Sequence, residues 1–379
     1  LKNIIVKPHS DDKKRNLLFL TINSFSIIPL NRFLVNYLKG KFNLSLIESY
    51  IQNTYKFDNI DYKEIKSYTN TSTFNNQNIK DKIYKYYFIT AKLLKNIGKS
   101  EYVLYVQDYS VLIICSLIKK LFFKHNWKIV YHQYEMELLD KMSFYKKIIS
   151  PDLLIFPEIN RAKYFQSFFL KFSQSQLMIF PNTCLISKKT DKDNFCLFQK
   201  IKGRITIGHI GNIGTDHYLN LLLALIEELN PKKYFFIIIG KQSYKVKELL
   251  TKYSEKENVY LTEEIPHNEL KYIYPFINFG IVLYKPIDLN FTFCAPNKLY
   301  EYWSYGIPVI AHKLPGLIPL FNNKIQGMLF DFEDTKTTLD NIKDYLEEKT
   351  ERDSLQSYFA NNFSLNSYLE LLLSKINSF

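Results

Sequence analysis

With 379 residues, 46% of them hydrophobic and 23% charged, the chain has a globular composition and enough length for two domains that each bury a core. No apolar run is long enough for a membrane-spanning helix, and Cys115, Cys184, Cys196 and Cys294 have neither metal-ligand spacing nor a C-x-x-C pair, which leaves them as reduced structural thiols. The net charge of +13 is spread along the chain and calls for an anionic partner, for which a nucleotide diphosphate, an anionic membrane surface and nucleic acid all qualify.

Leu17 to Ile22 is a compact apolar run that reads as a strand. The polar turn Asn23-Ser24-Phe25-Ser26 and a helical pattern from Pro29 to Lys39 follow, giving the opening unit of a doubly wound sheet. Asn43 to Ile47 is the next strand, and Ser67 to Asn78, rich in Ser, Thr and Asn without periodicity, is a loop. A helix is expected from Ile79 to Ile97, with Ile83, Tyr86, Tyr87, Leu93 and Leu94 as its apolar positions. Tyr102 to Val106 is a strand ending in Gln107-Asp108, and the helix after it is apolar almost all round, which predicts burial. Ile129 to Tyr131 is a strand leading into His132-Gln133-Tyr134-Glu135. Open α/β sheets bind ligands at the carboxyl ends of their strands, so Asp108, His132 and Glu135 are candidates for polar chemistry, with capping or solvation the plainer reading of each. Leu153 to Phe156 and Leu177 to Phe180 are strands separated by a helix containing Arg161. The charged stretch Ser187 to Arg204 reads as an interdomain linker, and Asp191-Lys192-Asp193 within it as solvated surface and not a metal site.

The second half repeats the alternation. Ile205 to Ile210 is a strand running into Gly211-Asn212-Ile213-Gly214-Thr215-Asp216, and a helix from Asp216 to Leu229 is expected with Thr215 or Asp216 as its N-cap. Gly211 and Gly214 let backbone amides approach a phosphate, although a lone G-x-x-G is weak evidence. Tyr234 to Gly240, Asn258 to Leu261 and Phe279 to Leu283 are further strands, the last ending in Tyr284-Lys285-Pro286. Pro296 pushes Ala295 away from helical geometry, so a helix begins at Pro296 or Asn297, carries Lys298 and Glu301 on one face, and ends at Gly306 before the short strand Val309-Ile310-Ala311. A cation and a carboxylate at a loop–helix junction can hold a phosphate and a pair of hydroxyls, and can equally be a solvated i,i+3 ion pair. Asp331 to Asp334 is a turn and N-cap, followed by helices to Glu348 and an amphipathic helical region from Arg352 to Ile376.

The run P-N-K-L-Y-E-Y-W-S-Y-G-I-P-V-I, from Pro296 to Ile310, resembles the helix–strand signature of GT-B glycosyltransferases close to family 4. The resemblance implies two doubly wound, Rossmann-like domains facing a cleft: residues 1–186 for the acceptor, a linker over 187–204, residues 205–350 for a nucleotide-sugar donor, and helices over 351–379 returning to the first domain. It assigns Gly211, Asn212, Gly214, Thr215, Lys241, His267, Tyr284, Asn297, Lys298 and Glu301 to donor binding, with the loop from Gly211 under the donor phosphates. Asn23, Ser24 and Arg32 fall to the acceptor, and Asp108, His132 and Glu135 to catalysis. Three departures stand out: Thr183 replaces the glycine of a P-N-G turn, the Lys-Gly expected after the phosphate loop is not apparent, and Phe293 occupies the place of the first glutamate of an E-x7-E pair. The last leaves retaining against inverting chemistry, and the sugar, open.

The leading expectation is a metal-independent glycosyltransferase of bacterial surface polysaccharide or glycolipid synthesis, using a nucleotide sugar and a saccharide or lipid-linked acceptor. It needs no cofactor beyond the donor and is expected in the cytoplasm, with peripheral contact to the anionic inner-membrane face. A non-catalytic GT-B subunit of a polysaccharide-assembly complex is the alternative, and a nucleic-acid binder finds no supporting motif.

Overall fold

The computed structural model describes residues 14–22, 28–49, 60–65, 79–96, 101–122, 126–136, 147–186, 198–263, 265–267, 269–322, 324–348 and 350–379. The chain forms two compact units. The first holds Leu1–Phe156, Tyr164–Ile179 and Leu369–Phe379, and the second Pro157–Lys163 and Phe180–Tyr368.

In the first unit β1 (Asn16–Leu20), β2 (Asn43–Ser49), β3 (Asp61–Ile65), β4 (Tyr102–Val106), β5 (Lys128–His132), β6 (Leu153–Phe156) and β7 (Leu177–Ile179) make one parallel sheet in the order β3-β2-β1-β4-β5-β6-β7. The helices are α1 (Pro29–Leu38), α2 (Ile79–Asn96) and α3 (Tyr109–Leu121); α4 (Ile159–Phe168), between β6 and β7, has its residues up to Lys163 in the second unit and the rest in the first. The order reverses between β1 and β4, so the carboxyl ends of those two strands flank the sheet's switch point. Right-handed crossovers put α1 on one face of the sheet and α2 and α3 together on the other. The Tyr86 hydroxyl donates to Ser110 Oγ at 3.1 Å and ties α2 to α3.

Two burial expectations for these helices need correction. Tyr109, Val111, Leu112, Cys115 and Ile118 of α3 are buried, but Leu117 and Leu121 are 38% and 71% exposed. A helix lying on a sheet buries only the stripe that faces it, whatever the rest of its surface is made of. In α2 the buried ridge is Lys85, Ile89 and Leu93, while Ile83, Tyr87 and Leu94 point to solvent.

The second unit holds β8 (Ile205–Ile210), β9 (Tyr234–Ile239), β10 (Val259–Thr262), β11 (Phe279–Val282), β12 (Val309–His312) and β13 (Gly327–Phe330), all parallel, in the order β10-β9-β8-β11-β12-β13. In chain order its helices are α5 (Phe198–Ile201), α6 (Leu219–Glu228), α7 (Tyr244–Thr251), α8 (Leu289–Thr292), α9 (Asn297–Ser304), α10 (Thr335–Leu346) and α11 (Arg352–Phe363). The final helix, α12 (Leu365–Asn377), begins in this unit, and its residues from Leu369 belong to the first. There Arg15 donates to the Ile376 carbonyl at 3.1 Å.

The wholly buried β9 shows why this sheet is covered on both faces. Phe236 and Ile238 pack with Leu222, Ile226 and Ile342, whereas Phe235, Ile237 and Ile239 pack with Leu299, Trp303 and Phe359. The two-residue period sends alternate side chains into two separate cores. β3 and β13, absent from the sequence reading, are edge strands with one neighbour each; β3 (D-Y-K-E-I) has no apolar run, and β13 is only four residues long.

The helix after β8 also starts later than expected. Tyr218 occupies the N-cap position without a side-chain bond, and α6 begins at Leu219. The residues before it are committed elsewhere: His217 bridges Tyr284, Tyr218 N donates to the Leu283 carbonyl at 2.7 Å, and Lys285 N to the Asp216 carbonyl at 3.0 Å.

Candidate functional site

In the second sheet the order reverses between β8 and β11, which pair only at Phe279–Ile207 and Gly280–Gly208. Beyond that point side chains take over the ladder. The Tyr302 hydroxyl of α9 donates to the Gly208 carbonyl at 2.7 Å and accepts from Ile210 N at 2.9 Å, while His209 Nδ1 lies 3.3 Å from the Ile281 carbonyl. The strands therefore part at the switch point, where open α/β sheets receive ligands. Tyr302→Phe leaves one buried carbonyl and one amide unpaired, and we expect a loss of ~2 kcal/mol or more in unfolding free energy. Urea denaturation should show a lower midpoint with an unchanged slope.

The loop after β8 is pinned from below. Gly211 N donates to the Ile239 carbonyl at 2.8 Å and Ile213 N to the Lys241 carbonyl at 3.0 Å. Gly211 (φ 120°) and Gly240 (φ 145°) cross so closely that a Cβ on Gly240 would run into the Gly211 carbonyl. A Cβ on Gly211 would lie 3.2 and 3.3 Å from Lys298 Cε and Nζ, so the ammonium rests against that glycine, 5.1 Å from the centre of the Tyr284 ring.

Lys298 is 7% exposed, and its Nζ, among the described residues, has no hydrogen-bond partner. Burial lowers its pKa to about 8, against the opposing pull of Glu301, Asp216 and Cys294. His209 and His217 stand nearby, with ring centroids 6.0 Å apart and each with a buried, unpartnered Nε2. Burial, then the Lys298 charge, holds both rings below the ordinary histidine value, although Asp216 Oδ1, 3.0 Å from His217 Nδ1, pulls the other way. A buried cation with no hydrogen-bonded anion is costly unless something anionic arrives to meet it.

Glu301, one turn along α9 from Lys298, is 17% exposed. Its carboxylate accepts from the Tyr274 hydroxyl at 2.5 Å, and its Oε1 lies 3.0 Å from His267 Nε2. Burial raises its pKa, but the His267 and Tyr274 hydrogen bonds and the Lys298 charge outweigh that, so it sits below the usual carboxylate value and is ionised at neutral pH. Asn212, Thr215, Lys241 and Asn297 are exposed beside these elements.

Phe293, half-buried, offers a backbone contact where a carboxylate was sought. Its carbonyl accepts from Arg161 Nε at 2.6 Å, and the Asn290 carbonyl accepts from Arg161 Nη2 at 3.1 Å. Arg161 is 4% exposed and belongs with Glu158, which accepts its backbone N–H at 3.0 Å. Arg161 thus positions the segment leading into α9. Sequence reading missed this role, as it missed Tyr274, His209 and His217, although both histidines flank the glycine loop.

In the first unit, Asp108 stands at the switch point, where its Oδ2 accepts from the Thr21 hydroxyl at 2.6 Å and Ile22 N at 2.8 Å and so joins the ends of β1 and β4. His132 is fully buried, with Nδ1 2.5 Å from the Tyr105 hydroxyl, and burial lowers its pKa to about 3. Glu135 is exposed and Arg32 half-buried on α1. Asn23, Ser24 and the Asp191–Asp193 segment lie outside the described residues. Among the described residues no group of three or more His, Cys, Asp and Glu side chains could hold a metal ion.

Residues 197–362 match the family Glycosyl transferases group 1. That span contains β8 to β13 and α9. Sucrose-phosphate synthase from Thermosynechococcus elongatus superposes with a TM-score of 0.73 at 12% identity, covering 96% of this chain and 99% of that one. Anabaena HepE, in complex with UDP and glucose, gives 0.69 at 13% identity, covering 96% and 100%. The protein therefore has the GT-B fold. An uncharacterized 41.2 kDa protein in the cps region of Klebsiella pneumoniae is 27% identical over 179 residues, a match spanning 46% of this chain and 47% of that relative.

Proposed function

We propose that this protein is a glycosyltransferase that binds a nucleotide sugar on its second unit and transfers the sugar to a saccharide or lipid-linked acceptor held by the first. The observation that carries this reading is Lys298, a buried ammonium without a hydrogen-bond partner among the described residues, set beside Gly211 and one turn from an ionised Glu301. A diphosphate supplies the missing anion for Lys298, and ribose hydroxyls donate to Glu301. Leaving-group charge is then met by Lys298, the amides of Asn212 and Thr215 and the N-terminus of α9, so the scheme needs no metal. For an inverting reaction the base belongs to Asp108, His132 or Glu135. Asp108 leads by position, and His132 is the weakest because burial makes its ring a poor proton acceptor. The relative from a cps region supports a place in capsule or related surface-polysaccharide synthesis, with peripheral contact at an anionic membrane face.

Incubating the purified protein with UDP-, GDP- and CMP-sugars should release nucleotide by slow hydrolysis, and Glu301→Ala should abolish that release. Phe293 favours a second reading, a non-catalytic subunit of an assembly complex. That reading predicts nucleotide binding without turnover on any donor.

Nucleotide affinity should also depend on pH. A diphosphate stabilises the charged form of Lys298, so its pKa in the complex rises above the unliganded value of about 8. Affinity is then flat below pH 7 and falls up to ~10-fold per unit above pH 8, until the pKa of the complex is reached. Titrations at pH 7 and pH 9 check the slope.

A further inference from the structure

We propose that the outer face of α2 and α3 is a docking surface for an anionic lipid bilayer. The inference rests on the reading above only in supplying a reason to be at a membrane; the surface itself is read from the fold. Ile83, Tyr87 and Leu94 are 63%, 70% and 44% exposed, and their spacing of four and seven residues keeps them on one side of α2. Leu117, Leu121 and Phe122 are 38%, 71% and 41% exposed at the end of α3. Both helices run antiparallel to the strands they precede or follow, side by side on one sheet face, so Leu94 and Leu121 lie at the same edge. Six large apolar side chains on one pair of helices are more than the scattered exposed hydrophobics of an ordinary surface.

Charge decides which occupant this face suits. α2 contains five lysines and Asp81 as its only acid, and α3 contains two lysines and no acid. Lys85 is buried and Lys119 is bonded to Asp152 at 2.6 Å, whereas Lys95 is exposed, Lys120 is exposed with its ammonium on the Lys147 carbonyl, and Lys92 is half-exposed at the rim of the apolar stripe. Lysine is depleted from the centres of protein–protein interfaces, but lysines bordering Leu, Ile and aromatic side chains are the pattern of elements lying in the headgroup region of acidic bilayers. No helix among the described residues is long and apolar enough to cross a membrane.

The test is flotation of the full chain with vesicles of phosphatidylcholine alone or mixed with phosphatidylglycerol. We expect binding to the mixed vesicles at least ~10-fold tighter than to neutral ones, weakening with salt. The triple variant Ile83→Ser, Leu94→Ser, Leu121→Ser should lose ~10-fold or more of that binding, and Lys95→Glu with Lys120→Glu should lose the preference for acidic lipid. All five side chains changed in these variants are exposed, and an unchanged UDP titration or far-UV spectrum confirms an intact fold. Equal flotation of variant and wild type, or no binding to acidic vesicles, overturns the proposal. A dimer in solution that the triple variant dissociates also overturns it, because a second copy would then cover the face. Failure of UDP to bind while flotation behaves as expected removes the donor reading and leaves the surface standing.

Discussion

Lys298→Met should raise the melting temperature of the unliganded protein while removing its response to nucleotide. The two effects share one cause. The pKa falls from 10.5 to about 8, which corresponds to ~3 kcal/mol of destabilisation at neutral pH, carried by a charge that has no hydrogen-bond partner among the described residues. The sign follows from proton counting: between pH 8 and 10.5 the unfolded chain binds more protons than the folded one, so stability rises with pH across that window. Below it the penalty is fully present. Methionine fills similar space beside Gly211 and Tyr284 without a charge, so a rise of several degrees is expected by thermal melting. The same substitution removes the charge-assisted bonds to a diphosphate, at ~100-fold or more in affinity. A lysine serving only as a surface ion pair would show neither change.

Glu301→Ala should cost both stability and donor affinity. Tyr274 is 3% exposed, and its hydroxyl loses the carboxylate it donates to, a penalty of ~1–3 kcal/mol. Lys298 loses the nearby negative charge that helps to keep it protonated, so its pKa falls further and the pH at which affinity begins to drop moves down. Together with the loss of the ribose acceptor, nucleotide binding should weaken by ~30-fold or more. Glu301→Gln keeps an acceptor for Tyr274 but not the charge, and should fall between wild type and alanine. Denaturation and calorimetric titration of the three proteins at one pH separate the two contributions.

The parts of the molecule legible in the sequence are those where one local rule decides the outcome. Pro296 and Gly306 delimit α9 because one cannot sit in a helix interior and the other adopts φ 67° after its last turn. Ile205–Ile210 and Leu153–Phe156 are strands buried on both faces and read as continuous apolar runs. What escaped depends on partners distant in the chain. Tyr302 acts through a gap between β8 and β11, Arg161 through carbonyls more than a hundred residues away, and Tyr274 through Glu301. No spacing rule reports such contacts. The start of α6 was misplaced for the same reason, since Thr215 and Asp216 are good N-caps by chemistry but pairing at Leu283–Lys285 keeps that segment extended. The apolar surface of α3 shows the converse: a composition that predicts burial met a fold that covers only one side of it.

In the proposed mechanism Lys298 and Glu301 grip the diphosphate and ribose of an activated sugar. Calorimetric titration of UDP, GDP and CMP into the wild-type protein and Lys298→Met at pH 7 tests it most directly. Saturable binding of one of these nucleotides by the wild type, one per chain, is expected, with none by the variant at the same concentrations. Binding of equal strength to both proteins, or of no nucleotide to the wild type, would contradict it.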